Sequence, residues 1–377
     1  MPGLETTAGG VSLDNVSEVL CIIFGILGLF GNGLVLVVMV RIRSLRTITN
    51  LFIANQSIID FLSSIFLLIL LYKPPVFDYS DWEINGWTMF VCKIWQSQYI
   101  FWSLMSASTT NLILLTLERW IAVVFPIVYR NRVTWKRATV IVFVPWIYGF
   151  VFELYWQGVH HVVDGVCSPS FRNQSLKIFT GICVFLAKLI MPVLIMLGAY
   201  ISILQRIRPQ LIKGEVTTTT RSARFLTTAT NSAKAINFDI GEPTIPKTDR
   251  DAIPTTNRDV ESGIKCNTFP RAYSDITSSQ TTHQERIRLN ILKTLFLVTV
   301  VYILCWSPAL FDFLIYNLGA GRHTLRGSLH RFFVVLIFVN IWSNPVIYTF
   351  KYRRFQDGLR KTFCIFRKKS KVASHKC

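Results

Sequence analysis

Strongly polar side chains are scarce inside the long apolar runs of this 377-residue chain, and the few that occur there are candidates for chemistry. Asn32, Asp60, Ser108, Asn340 and Asn344 each stand in a stretch that is otherwise largely hydrocarbon. A polar group in such a setting is expensive to bury and tends to serve function. A carboxylate with amide and hydroxyl oxygens beside it is a hard-oxygen set suited to a small cation. Their joint presence predicts a hydrated polar pocket in the interior. A second set carries full charge: Glu153 in one run and Lys188 in the next. Such residues either pair with each other or meet a ligand, and the sequence leaves both readings open. A third set, Glu118 and Arg119, ends a charge-free run, where an arginine can pair with the acid or snorkel toward water. No CxxC, HExxH or GxSxG occurs, which argues against a structural zinc site and against an intramembrane enzyme. The chain is not expected to be an enzyme.

The elements that must position these groups are seven apolar runs, at about residues 19–40, 51–72, 94–117, 138–157, 178–204, 294–311 and 332–350. Each approaches or exceeds the roughly 20 residues that span a bilayer core as a helix. Composition agrees: 51% of residues are hydrophobic, 16% are charged, and the mean hydropathy is +0.42. The fold class is therefore an all-α membrane protein, a seven-transmembrane helix bundle. The first run is too long, and lacks the basic start, for a cleaved signal peptide, so it is read as a retained helix.

No Lys or Arg precedes Arg41, and the first connection then reads RIRSLR. The positive-inside rule places that loop in the cytoplasm, the N-terminus outside and the C-terminus inside. Residues 351–377 carry ten Lys/Arg against one acid, Asp357. The formal net charge of +19 is read as topology and attraction to anionic lipid, not as a nucleic-acid surface. The connection holding Arg322, His323, Arg326 and Arg331 is basic as well, yet falls outside. Three regions follow: an extracellular N-terminus at 1–18, the bundle at 19–350, and an amphipathic helix with a basic tail at 351–377. Within the bundle, about 206–285 is rich in Thr, Ser, Arg and Asp and reads as a disordered cytoplasmic loop. Phe355, Leu359, Phe363 and Ile365 give a short eighth helix an apolar face for the membrane surface.

The motifs in these runs carry a resemblance. Gly31-Asn32, Glu118-Arg119-Trp120, Cys305 to Pro308 (CWSP) and Asn344 to Tyr348 (NPVIY) lie one per run, with Trp146, Pro192 and Tyr200 in the remaining positions. In this order the set resembles the rhodopsin-like class of G-protein-coupled receptors across all seven spans, as an atypical, peptide-receptor-like member. The resemblance implies a plasma-membrane receptor that binds an extracellular ligand and activates a heterotrimeric G protein, with arrestin and receptor kinases as further partners. It implies a coupling switch of Glu118, Arg119, Trp120, Tyr200, Trp306, Pro308, Asn344, Pro345 and Tyr348. It also implies a sodium pocket of Asn32, Asp60, Ser108, Asn340 and Asn344, with Asp60 as the ion's carboxylate. Cys92 and Cys167 both fall on the oxidising side and are expected to form a disulfide.

Several residues depart from the family pattern. Cys92 lies 27 residues before Arg119, two more than the family spacing, so the third span starts with an irregular turn or the pairing geometry differs. Arg288 stands where an acid is common, and Glu285 lies one turn away. Tyr302 replaces a usual Phe, Thr109 a branched apolar residue, and the usual LAxxD reads QSIID from Gln56 to Asp60.

The position where amine receptors carry an aspartate is Phe101, or Tyr99 if the offset is allowed for, and the retinal-lysine position is Phe338. Amines and covalent retinal are thus disfavoured. The pocket candidates are Gln98, Tyr99, Phe101, Trp102, Glu153, Lys188, Trp306 and Asp312, with His160 and His161 nearby. They favour a peptide; a non-amine small molecule is the alternative, and a transporter or channel a more distant one. Asn15 and Asn173 begin glycosylation sequons, and Cys364 is a palmitoylation candidate.

Overall fold

The computed structural model describes residues 13–71, 85–163, 166–207, 296–319, 327–351 and 355–362. Among them, seven helices are long and apolar enough to cross a membrane. They are α1 (Leu13–Arg41), α2 (Ile48–Leu71), α3 (Gly86–Val124), α4 (Trp135–Val159), α5 (Gln174–Ile207), α6 (Phe296–Leu318) and α7 (Ser328–Lys351). An eighth, α8, runs over 355–362. The bundle belongs to one compact unit, Met1–Leu204 with Arg288–Cys377; of the second unit, Gln205–Ile287, only the residues ending α5 are described. Most of the Ser/Thr-rich loop expected at 206–285, together with Glu285, Arg288, Arg322, His323, Arg326, Phe363, Cys364 and Ile365, lies outside the described residues.

Most helices begin before hydropathy would start them, and for two of them side-chain caps explain why. Asn85 Oδ1 accepts hydrogen bonds from the Trp87 and Thr88 amides while the Thr88 hydroxyl accepts one from the Asn85 amide, a capping box that starts α3. Asn173 accepts from the Leu176 amide at 2.7 Å and starts α5. Both caps satisfy N–H groups that a helix end leaves unpaired.

In lipid, apolar surface drives little association between helices, so close packing and hydrogen bonds must do so. α1 packs against α2 and α7, and α3 against α2 and α4. Small residues permit this. A Cβ added to Gly149 of α4 would meet the Ser103 carbonyl oxygen of α3 at 2.3 Å. One added to Gly28 of α1 would meet Ser64 Oγ of α2 at 2.3 Å. The outward faces keep Val140, Ile147 and Val151 exposed, as a helix solvated by hydrocarbon requires.

Between α4 and α5, β1 (His160–Val163) pairs antiparallel with β2 (Val166–Pro169). Cys167 on β2 is bonded to Cys92 of α3, so the hairpin is fixed to the start of that helix. We call this the disulfide end of the bundle, and the opposite one, where Arg119 lies, the arginine end. α8 departs from its expected setting at Phe355. That ring is fully buried in a cluster with Val38, Ile42 and Leu45, and Leu359 packs on the same cluster. A Cβ on Gly358 would come within 3.1 Å of Leu45, so α8 turns its apolar face to the bundle at these residues.

Candidate functional site

The irregular start of α3 decides how its residues are phased. Val91–Gln96 forms a π-helical turn, and Gln98 adopts a left-handed backbone at φ 57°. Tyr99–Val124 is then regular α-helix through Arg119. The two extra residues are absorbed before Tyr99, so the disulfide forms although the spacing differs. Tyr99 and Phe101 both lie in that regular stretch, so the count of 18 residues back from Arg119 falls on Phe101. Phe101 packs edge-on against Phe338 at 5.3 Å. The Tyr99 hydroxyl donates to the Phe150 carbonyl at 2.7 Å.

A cavity of about 510 Å³ opens at the disulfide end. Gln98, Phe101, Trp102 and Phe338 line it, with Trp306 and the charged residues Glu18, Glu153, Lys188 and Arg331. Tyr99 and Asp312 are not among its lining residues. Asp312 of α6 instead pairs with His330 of α7 at 2.6 Å, and His330 lines the cavity. His160 lines it too; its Nδ1 lies 2.8 Å from the Trp156 carbonyl, and burial lowers its pKa from the ordinary imidazole value.

Glu153 and Lys188 both pair and face the cavity. Lys188 Nζ lies 2.5 Å from Glu153 Oε1, and Ser106 donates to the same oxygen. The ammonium also stands 5.5, 5.7 and 5.9 Å from the rings of Trp102, Phe152 and Trp306, within cation–π range. Lys188 sits in a second π-helical turn, Leu186–Ile190, which ends two residues before Pro192. Proline has no N–H to return to the carbonyl four residues earlier, which is that of Lys188. The Tyr302 hydroxyl of α6 donates to that carbonyl. Tyrosine at 302 thus answers a backbone need created on α5.

Below the cavity, a chain of hydrogen bonds crosses the bundle. Trp146 Nε1 of α4 donates to Asn55 Oδ1 at 3.0 Å, and Asn55 Nδ2 donates to Asn111 Oδ1 at 2.8 Å. Asn111 Nδ2 donates to Gln56 Oε1 at 2.8 Å. Gln56 Nε2 lies 3.1 Å from each Asp60 oxygen and 2.5 Å from Ser108 Oγ. Ser108 donates to Asp60 Oδ1 at 2.9 Å, and Asn344 Nδ2 of α7 donates to Asp60 Oδ2 at 3.0 Å. Gln56, Asp60, Ser108, Asn111 and Asn344 are all fully buried. Asn32 joins α1 to α7 instead, donating to the Gly28 and Ile341 carbonyls at 2.9 Å each. The amide atoms of Asn340 are buried and make no hydrogen bond to this chain of groups.

At the arginine end, Arg119 grips its own neighbour. Nε lies 2.5 Å from Glu118 Oε2 and Nη2 lies 2.7 Å from Oε1. Glu118 Oε1 also accepts from Thr49 at 3.1 Å and from Tyr129 at 2.5 Å. Tyr129 belongs to the short helix Pro126–Arg132 that follows α3. Its phenol is pushed up to about 12, first by burial and then by the Glu118 carboxylate. Trp120 Nε1 donates to Ser202 Oγ of α5 at 3.0 Å. Tyr200 stacks on Phe296 at 4.7 Å, and Tyr348 is buried in the cluster with Leu115 and Phe355. Pro308 and Pro345 sit inside α6 and α7 without ending them.

Residues 31–348 match the sequence profile of the 7 transmembrane receptor (rhodopsin family). The chain belongs to the rhodopsin family of seven-transmembrane receptors. It is a multi-pass membrane protein of a receptor family, not of an enzyme family. Among similar proteins, galanin receptor 2b of Danio rerio is 24% identical over 96% of this chain and 78% of its own length. Cholecystokinin receptor type A of Cavia porcellus is 24% identical over 90% of this chain and 78% of its own length. The 5-hydroxytryptamine receptor 1B of Oryctolagus cuniculus is 23% identical over 88% of this chain and 81% of its own length.

For a rhodopsin-family receptor the resemblance implies a sodium ion at Asp60, and here both oxygens of that carboxylate already accept hydrogen bonds within the bundle. A cation needs the carboxylate's lone pairs. Here they face an N–H or O–H from Gln56, Ser108 and Asn344. Gln56 stands where the family motif has leucine, so the amide that meets both carboxylate oxygens is this chain's own departure. Asn55, Asn111 and Gln56 were not among the expected site residues. The signal for them was present in the second span, which reads Asn55-Gln56 ahead of Asp60.

Proposed function

We propose that this chain is a receptor for an extracellular peptide and that it signals through heterotrimeric G proteins at the plasma membrane, its N-terminus outside. The observation that carries this reading is the placement of a ligand-sized cavity and a coupling arginine at opposite ends of one helix, α3. Phe101 and Trp102 line the cavity at the disulfide end, and Arg119 lies five turns on at the other. The disulfide end is then extracellular and the arginine end cytoplasmic.

Two of the similar receptors are named for galanin and cholecystokinin, which supports a peptide. The third is named for 5-hydroxytryptamine, but Phe101 offers an amine no carboxylate at the position where amine receptors carry an aspartate. Ligand engagement at Lys188 and Trp306 is transmitted through α5 and α6, because Tyr302 joins them one turn deeper. Opening of the arginine end frees Arg119 from Glu118 to meet the G protein. Arrestin and receptor kinases act on the same open state, and anionic lipid is held by the basic cytoplasmic segments.

The test is a peptide-library screen in cells with a promiscuous G-protein readout, followed by Arg119→Ala. Agonist-driven coupling is expected to fall at least tenfold, on the order of 1.4 kcal/mol, with surface expression retained. Unchanged coupling in that variant overturns the role given to Arg119. Ion flux that follows expression, with no G protein recruited by any ligand, overturns the receptor reading.

A further inference from the structure

The Glu153–Lys188 pair is a built site whose two faces are both turned to the cavity. Glu153 is 1% exposed and Lys188 8%, so neither charge is neutralised by bulk water. Both contacts to the carboxylate, from Lys188 and from Ser106, fall on Oε1, which leaves Oε2 as an acceptor. Lys188 Nζ has three N–H donors, and one is taken by Glu153. The others face aromatic rings at 5.5 to 5.9 Å, too far for hydrogen bonds. The site therefore offers one oxygen acceptor and ammonium donors side by side, with no net charge.

That arrangement selects its guest by elimination. An anionic group on Lys188 would also face the Glu153 carboxylate, and a cationic group on Glu153 would face the ammonium. Like charges in a water-poor cavity repel strongly. A neutral group with an acceptor and a donor on one carbon meets both without adding charge. A carboxamide is such a group: its carbonyl oxygen accepts from Lys188 and its NH2 donates to Glu153. The walls beside it, Trp102, Trp306, Phe101 and Phe338, favour an aromatic or apolar neighbour in the ligand.

Resting on the receptor reading above, we propose that this receptor recognises an uncharged carboxamide next to an aromatic group, bound between Glu153 and Lys188. That chemistry occurs at the amidated end of a peptide and in small aromatic amides alike.

The probes are N-acetyltryptophan amide, N-acetyltryptophan and tryptamine, titrated against detergent-purified full-length receptor with the melting midpoint as readout. The amide is expected to stabilise the wild-type protein with an apparent affinity about tenfold or more above the acid and the amine. Lys188→Met should shift preference to the amine, and Glu153→Gln to the acid. Either single variant leaves a buried charge without its partner and can fail to fold, so Glu153→Gln with Lys188→Met is made as well. The double variant should bind all three probes with little discrimination. Equal binding of the three by the wild-type protein, or none by the amide, overturns the proposal. So does retained amide preference in the double variant. A tryptophan-ended tetrapeptide in amidated and free-acid forms then assigns the source: a peptide if it binds tighter than the fragment, a small molecule if not, with the amide preferred in either case. Melting reports occupancy without any G protein, so failure here leaves the signalling reading standing, and failure of coupling leaves this one standing.

Discussion

Tyr302 shows how a single hydroxyl can be required by another helix. Pro192 withholds an N–H from the Lys188 carbonyl, and the Tyr302 hydroxyl supplies the hydrogen instead. Tyr302 is fully buried, so its loss would not be made good by bulk water. Tyr302→Phe is expected to destabilise the receptor by about 1–2 kcal/mol, read as a lower melting midpoint of the purified protein. An unchanged midpoint would show that the carbonyl finds another donor. At this scale the sequence announced the participants but not their pairing. Tyr302 was visible as a departure, and Pro192 as a family residue; that one serves the other depends on which faces of α5 and α6 meet. Glu153 and Lys188 were visible as a charged pair in apolar helices, with pairing and ligand contact left open, and the geometry allows both at once.

The helices themselves were legible almost in full, because twenty-residue apolar runs have few other uses. Their ends were less so. Asn85 and Asn173 extend α3 and α5 through local side-chain caps, which hydropathy does not register. α8 was expected on the membrane surface, yet Phe355 is buried among Val38, Ile42 and Leu45, since amphipathicity names an apolar face but not what covers it. Contact between elements rests on residues as small as Gly149, whose missing side chain lets α4 reach the backbone of α3. Gly149→Val is expected to push these helices apart. The loss should appear as sharply reduced surface expression and ligand binding, whereas Gly158→Ala, with nothing within 4 Å of its added Cβ, should be tolerated. Normal expression of the valine variant would mean that α4 can shift without cost.

Across the whole molecule, the cavity, the polar chain and the arginine end form three levels joined by α3. The polar chain draws on α2, α3, α4 and α7, so anything that changes Asp60 is felt by all four. Gln56 occupies the carboxylate from within, which predicts that signalling by this receptor is insensitive to exchange of sodium for a bulky organic cation. Agonist titrations in the two salts should superimpose for the wild-type chain. Gln56→Leu should remove the amide and separate the curves by at least about threefold, on the order of 0.6 kcal/mol. A sodium effect already present in the wild-type receptor would contradict the reading. The motifs pointed to Asp60, Ser108 and Asn344 together, but only packing could show that the Gln56 amide joins them on the carboxylate.

The irregular start of α3 has a consequence for anyone transferring positions between receptors. A two-residue insertion in a continuous helix turns everything beyond it by about 200°. The π-helical turn at Val91–Gln96 and the left-handed Gln98 confine that rotation to one short stretch. Inward of Tyr99, residues can be counted from Arg119; outward of Val91, they must be counted from Cys92. Between the two anchors no equivalent position exists. The rim of the cavity can therefore change its residues, and so its ligand, while the phase of the coupling end stays untouched.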